Sequence, residues 1–234
     1  MEQIIPKTLL FCVAAGFLPT LLWLWFWLKE DNNPEPKRVI FLTFCYGMMS
    51  SGLALFAEYA ISALAFSGIV ALFLWALIEE FLKYKAAKKA AFEKKSFDEP
   101  VDALIYMITA ALGFSSMENI LFIFNSFSSN GMLSGFMTGN LRFLGATLLH
   151  TATSAIVGAC LAFSFFHKEK MKYNVIGGII IAGILHFIFN YFIIKSSGDN
   201  ILKVFIPLWL LIIVIVFIFE KVKRIKKENI SNIL

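Results

Sequence analysis

The chain has 234 residues, of which 59% are hydrophobic and only 16% charged, with a formal charge of +5. Soluble domains are about 45–50% apolar and roughly 25% charged, so a water-soluble enzyme, a disordered tail and a nucleic-acid-binding domain are excluded. At about 20 residues per spanning helix, the length suits an all-α polytopic membrane protein without an appended domain.

Apolar runs predict a bundle of about seven transmembrane helices, near residues 4–28, 39–62, 66–86, 101–125, 142–166, 174–195 and 203–220. The first run is too long for the apolar region of a signal peptide and is expected to stay as an anchor. It contains Pro19 and ends in Trp23, Trp25 and Trp27, which are expected to form an interfacial aromatic belt. Only Glu58 marks the boundary between the second and third runs. Residues 126–140, rich in Ser, Gly and Asn, are expected to form an external loop, and 221–234 a basic cytoplasmic tail. Cys12, Cys45 and Cys160 lie inside apolar runs and suit small core residues rather than a disulfide or thiolate metal site. Gly47, Gly52, Gly177, Gly178 and Gly183 are expected to let helices pack closely.

Seven alternating spans place 17 of the 21 Lys and Arg residues on one side, leaving Lys7, Arg142, Lys195 and Lys203 on the other. The positive-inside rule then predicts an external N-terminus, a cytoplasmic C-terminus and basic residues that meet lipid headgroups.

Ionisable groups inside spans cost roughly 2.5–3.5 kcal/mol each on insertion scales, so each needs a reason. They fall into four ordered patterns: EExxK from Glu79 and Glu80 to Lys83, FxxxEN ending in Glu118 and Asn119, HxxxS from His150 to Ser154, and HxxxN from His186 to Asn190. Residues four apart share a helix face, so each histidine points with its polar partner. Singly, each cluster has a structural explanation: an i,i+4 ion pair, or an interhelical hydrogen bond. Together they bring carboxylates and imidazoles, groups that bind Zn²⁺ and activate water, into one apolar bundle.

At these residues the chain resembles the PrsW family of intramembrane proteases, relatives of the CAAX prenyl proteases. The order and approximate spacing of all four motifs match over about half the chain, and Glu118 stands where the CAAX branch carries a histidine. The resemblance implies a single membrane-embedded protease domain over residues 1–234 of a bacterial cell-membrane protein. It also implies a single-span membrane protein as substrate, in the best-known cases an anti-sigma factor cut at a first site. Other branches of the wider superfamily are linked to peptide export or bacteriocin self-protection.

Two schemes use the same residues. In one, Glu118, His150 and His186 hold Zn²⁺, with Glu79 or Glu80 as general base and Asn190 orienting His186 or donating to the oxyanion. Lys83 then holds the unused glutamate or counters the site's negative charge, and Asn119 and Ser154 support the site. In the other, Glu80 and His150 act on water without a metal, and His186 and Asn190 serve the oxyanion. Rivals from other classes are a proton-coupled transporter and a non-catalytic scaffold that binds partner helices. Counting at 1.5 Å per residue from the outer helix ends puts the four clusters about 10–18 Å deep, in the outer half of a core about 30 Å thick. The expected cut therefore lies near the external end of the substrate helix.

Overall fold

The computed structural model describes residues 4–64, 66–196 and 201–225. Among them are seven α-helices and no strand: α1 (Ile4–Leu28), α2 (Lys37–Ala63), α3 (Gly68–Ala87), α4 (Pro100–Leu141), α5 (Thr147–Phe163), α6 (Lys168–Lys195) and α7 (Ile201–Val222). Helices are what a bilayer permits, because every backbone polar group is then satisfied within its own segment. Five stretches are long and apolar enough to cross a membrane: Thr8–Leu28, Lys37–Ala63, Pro100–Phe163, Lys168–Lys195 and Leu202–Val222. The expected count of about seven exceeds this for two reasons. Helix α3 is diluted by Glu79, Glu80, Lys83 and Lys85, and the 64-residue stretch Pro100–Phe163 runs on through a break at Gly131.

That break corrects the expected external loop. Residues on both sides of Gly131 are helical, and Gly131 itself takes φ 81°, a left-handed conformation that lets the chain reverse within one residue. The returning segment lies against the outgoing one, with a hydrogen bond between the Ser126 and Ser134 hydroxyls (2.7 Å) and one donated by Thr138 to Ser126 (2.9 Å). Ser and Thr here bond across a helical hairpin, where their composition alone suggested irregular chain. π-helical turns at Arg142–Ala146 and Lys88–Phe92 join α4 to α5 and extend α3. Helix α6 begins six residues before the apolar run, since apolarity marks the span and not the helix end.

Helix α4 is central. Every residue from Pro100 to Ser116 is buried, and α1, α2 and α5 pack around it, with α6 against α5 and α3 against α2 and α6. Gly47 and Gly113 allow the closest approach. A Cβ on Gly47 would collide with the Ala110 carbonyl oxygen of α4, and one on Gly113 with that of Phe44 in α2. Gly178 and Gly183 also face neighbours closely, but a Cβ on Gly52 or Gly177 would meet nothing, so those two are not packing glycines. The aromatic belt is corrected as well: Trp27 is buried and stacks on Phe219 of α7 with centroids 5.2 Å apart, and Trp23 packs against Phe143 and Trp209. Only Trp25 is mainly exposed, with the Lys29 ammonium over its ring. All three cysteines are free. Residues 226–234 of the expected basic tail lie outside the described residues.

Candidate active site

The four sequence motifs meet at one place, between α3, α4, α5 and α6. Helix α3 supplies it because its buried stripe, Ala76, Glu79, Glu80, Lys83 and Ala87, repeats at helical spacing and turns inward together. Small alanines at the ends of that stripe leave room for long polar side chains between them.

Glu80 is wholly buried and its Oε1 is saturated. It accepts hydrogen bonds from Lys83 Nζ (2.8 Å), Thr153 Oγ1 (2.9 Å) and His186 Nδ1 (2.8 Å), while Ser154 Oγ approaches Oε2 at 3.4 Å. Lys83 is equally buried, bonds His150 Nδ1 at 2.7 Å and stands over the Phe114 ring. An ammonium can only donate, so His150 Nδ1 accepts and its Nε2 carries the hydrogen. That Nε2 donates to Glu118 Oε2 at 2.9 Å. Arg142 holds the same oxygen at 2.9 Å and bonds Asn119 Oδ1 through Nε at 2.6 Å. Asn119 in turn donates to Thr147 at 3.0 Å.

Glu79 differs from its neighbour. Its Oε2 is buried without a hydrogen-bond partner. Around it stand Lys83 Nζ at 3.7 Å, His186 Nε2 at 3.8 Å and His150 Nδ1 at 3.9 Å. The adjacent carboxylates, about 100° apart on the helix, thus have separate tasks: Glu80 is consumed in hydrogen bonds and Glu79 keeps an oxygen open. Both imidazoles are backed by a carboxylate, His186 by Glu80 and His150 by Glu118, and both turn their other nitrogen towards Glu79.

This donor set fits a metal ion. Glu79, His150 and His186 each offer a ligand atom, all within 4.8 Å of one another. A His₂Glu set backed by carboxylates is a recurrent zinc environment, and tetrahedral bonds of about 2.0–2.2 Å set ligand atoms roughly 3.4 Å apart. The expected ligand Glu118 stands instead behind His150, paired with Arg142, and Glu79 is the carboxylate beside both imidazoles. In this arrangement the Lys83 ammonium occupies the His150 lone pair. Asn190 is half-buried one turn beyond His186, with no hydrogen bond to the cluster among the described residues.

Sequence reasoning missed Arg142, Thr147 and Thr153. Arg142 counted as a flanking charge on the sparse side, and only the π-helical turn that starts there and the reversal at Gly131 bring it back to Glu118. Thr153, three residues after His150 and one before the motif serine, gave no signal of its own.

Residues 35–219, a stretch that contains every group just described, match the family described as PrsW family intramembrane metalloprotease. Three similar proteins, each named Protease PrsW, cover most of the chain. That of Oceanobacillus iheyensis is 30% identical over 226 residues, 94% of this chain and 98% of its own length. That of Geobacillus kaustophilus is 27% identical over 192 residues, 79% and 80% respectively, and that of Bacillus subtilis 23% over 191 residues, 80% and 84%. No solved structure matches. A buried Glu–His–His centre within a bundle of apolar helices, and a family match across the helices that build it, lead to one conclusion: this multi-pass membrane protein belongs to the PrsW family of intramembrane proteases.

Proposed function

We propose that the chain is an endopeptidase of the bacterial cell membrane that hydrolyses a single-span membrane protein, with an anti-sigma factor as the substrate and the first cut as the step. The observation that carries this reading is the open Glu79 Oε2, buried without a partner and faced by two imidazole nitrogens whose far sides are fixed by carboxylates. Without a metal, Glu79 accepts a proton from water as that water attacks the peptide carbonyl, and returns it to the leaving amine. Glu80 fixes the His186 tautomer, Glu118 with Arg142 fixes that of His150, and Lys83 supplies positive charge where the oxyanion develops. Alternatively, Glu79, His150 and His186 would hold Zn²⁺ once the Lys83 ammonium leaves His150 Nδ1, and the ion would supply a lowered water pKa and a polarised carbonyl. Asn190 lines the approach beside His186.

The charge bias supports seven passes with the N-terminus outside, the lysine-rich face in the cytoplasm and the site in the outer half of the bilayer. Mass spectrometry of single-span membrane proteins in cells carrying the wild type or Glu79→Gln tests the function. New termini near the outer helix ends, present only with the wild type, are expected; the same termini in both would end the reading. Zinc at about one equivalent in active protein, removed by a chelator together with activity, supports the metal. Full activity without metal assigns water activation to Glu79 alone.

A further inference from the structure

Helices α3 and α6, with Ile61 and Leu64 at the end of α2, enclose a groove of 910 Å³. Its floor is the close contact at Gly183, where a Cβ would stand 2.9 Å from Leu77 Cδ1. Its walls are apolar, including Leu74, Leu77, Ile78 and Phe81 from α3 and Ile176 and Ile180 from α6. At one end the lining changes to Tyr84, Lys88, Lys168 and Lys172. Those three lysines are exposed, and none makes an ion pair among the described residues. The groove thus has an apolar shaft and three cationic side chains at its mouth.

We infer that this groove holds one anionic phospholipid of the phosphatidylglycerol type, its phosphate at Lys88, Lys168 and Lys172 and its acyl chains along α3 and α6. Charge complementarity selects the lipid. Each basic residue near a headgroup favours an anionic lipid over a zwitterionic one, and three converge. A substrate helix suits the site poorly on two counts. By the positive-inside rule its cytoplasmic flank carries Lys and Arg, which the three lysines repel. Moreover, the groove face of α3 is centred roughly 140° around the helix from Glu79, Glu80 and Lys83 at 3.6 residues per turn, so a peptide bond lodged there lies on the wrong side of the helix. A lipid seated there braces α3 against α6, the helices that carry the two carboxylates and His186.

The test reads lipid retention rather than cleavage, so it stands apart from the hydrolase reading. Full-length protein in micelles doped with equal phosphatidylglycerol and phosphatidylcholine is examined by native mass spectrometry. One phosphatidylglycerol retained with a preference on the order of tenfold is expected. The combined variant K88Q/K168Q/K172Q should lose that preference, and K94Q/K95Q, which neutralises two exposed lysines outside the groove, should keep it. Equal retention of the two lipids by the wild type, or unchanged preference in the triple variant, overturns the inference. So does an Ile176→Trp protein that retains phosphatidylglycerol with the wild-type preference, because the lipid would then lie outside the groove that the indole fills.

Discussion

Among the described residues, two clusters each bring three potential metal-ligating groups together: Glu79, His150 and His186 inside the bundle, and Glu35, Asp98 and Asp102 at the lysine-rich face. They are built for opposite ends. The second is a clamp. Asp102 closes a capping box at the start of α4, its Oδ2 accepting from the backbone N–H of Asp98 and Glu99. Tyr106 donates to Glu35 and Asn33 to Glu99 (2.7 Å), so the α1–α2 connection is tied to the α4 N-terminus by neutral donors. The first cluster contains the imidazoles and a buried ammonium, and leaves Glu79 Oε2 without a bond amid three nitrogens. Proximity of carboxylates is therefore common to both; the buried cluster is distinguished by imidazoles held in place around a carboxylate oxygen left open.

The sharpest way to break that contrast is to neutralise one carboxylate in each cluster. Glu79→Gln should lower cleavage by about 10²–10⁴-fold, the range for loss of a general base, whereas Glu35→Gln should leave it within about twofold. Comparable losses in both would erase the distinction. A stability measurement sharpens it next. Lys83→Met strands Glu80 as an unpaired buried charge, a loss of about 3–5 kcal/mol that denaturant unfolding in detergent would register. Arg142→Gln should act through His150. Removing a partner that orients an imidazole costs about 10–100-fold in activity or metal affinity, with a smaller loss of stability than Lys83→Met because the Arg142–Glu118 pair is partly exposed, and Arg142→Lys should restore little because the guanidinium holds Glu118 and Asn119 at once.

The smallest effect is a pH dependence confined to the clamp. Burial pushes the Glu35 carboxyl above its ordinary value, opposed by the hydrogen bonds from Tyr106 and Asp102 and reinforced by Asp31. Burial likewise raises Asp31, opposed by the backbone N–H groups of Asn33 and Glu35. An acid whose folded pKa is raised binds its proton more tightly when folded, so its stabilising contribution is full below the ordinary carboxylate value near 4 and is lost as pH rises through the raised one. Hydrogen exchange in residues 29–36, corrected for intrinsic rate, should therefore slow on acidification from pH 7 towards 5. Glu35→Gln should blunt that response, and faster exchange in acid would show the clamp to be ionic after all.

Much of this was open to reading along the chain, because bilayer thickness demands about 20 apolar residues per pass and charged groups inside such a run stand out. All seven helices begin or end within a few residues of the apolar runs. The four motifs likewise announced Glu79, Glu80, Lys83, Glu118, His150 and His186, and the structure brings all six into one cluster. The exceptions share a cause. The Ser- and Gly-rich segment 126–140 is helical because its hydroxyls find partners across the Gly131 reversal, and Trp27 is buried because Phe219, 192 positions away, stacks on it.

Adjacent Glu79 and Glu80 are alike in sequence, and only the packing of α5 and α6 against α3 made them different. Thr153 and His186 reach Glu80 and leave Glu79 open. In the same way the four motifs named Glu118 as readily as Glu79 for a place beside the histidines, until the π-helical turn at Arg142 supplied a guanidinium that draws Glu118 behind His150. Composition and periodicity determined which residues enter the membrane and which helix face they share, since both follow from solvation and the 3.6-residue repeat within a single segment. Which oxygen is bonded and which is free was decided by tertiary structure alone, because hydrogen bonds between helices depend on crossings and registers that no local pattern encodes.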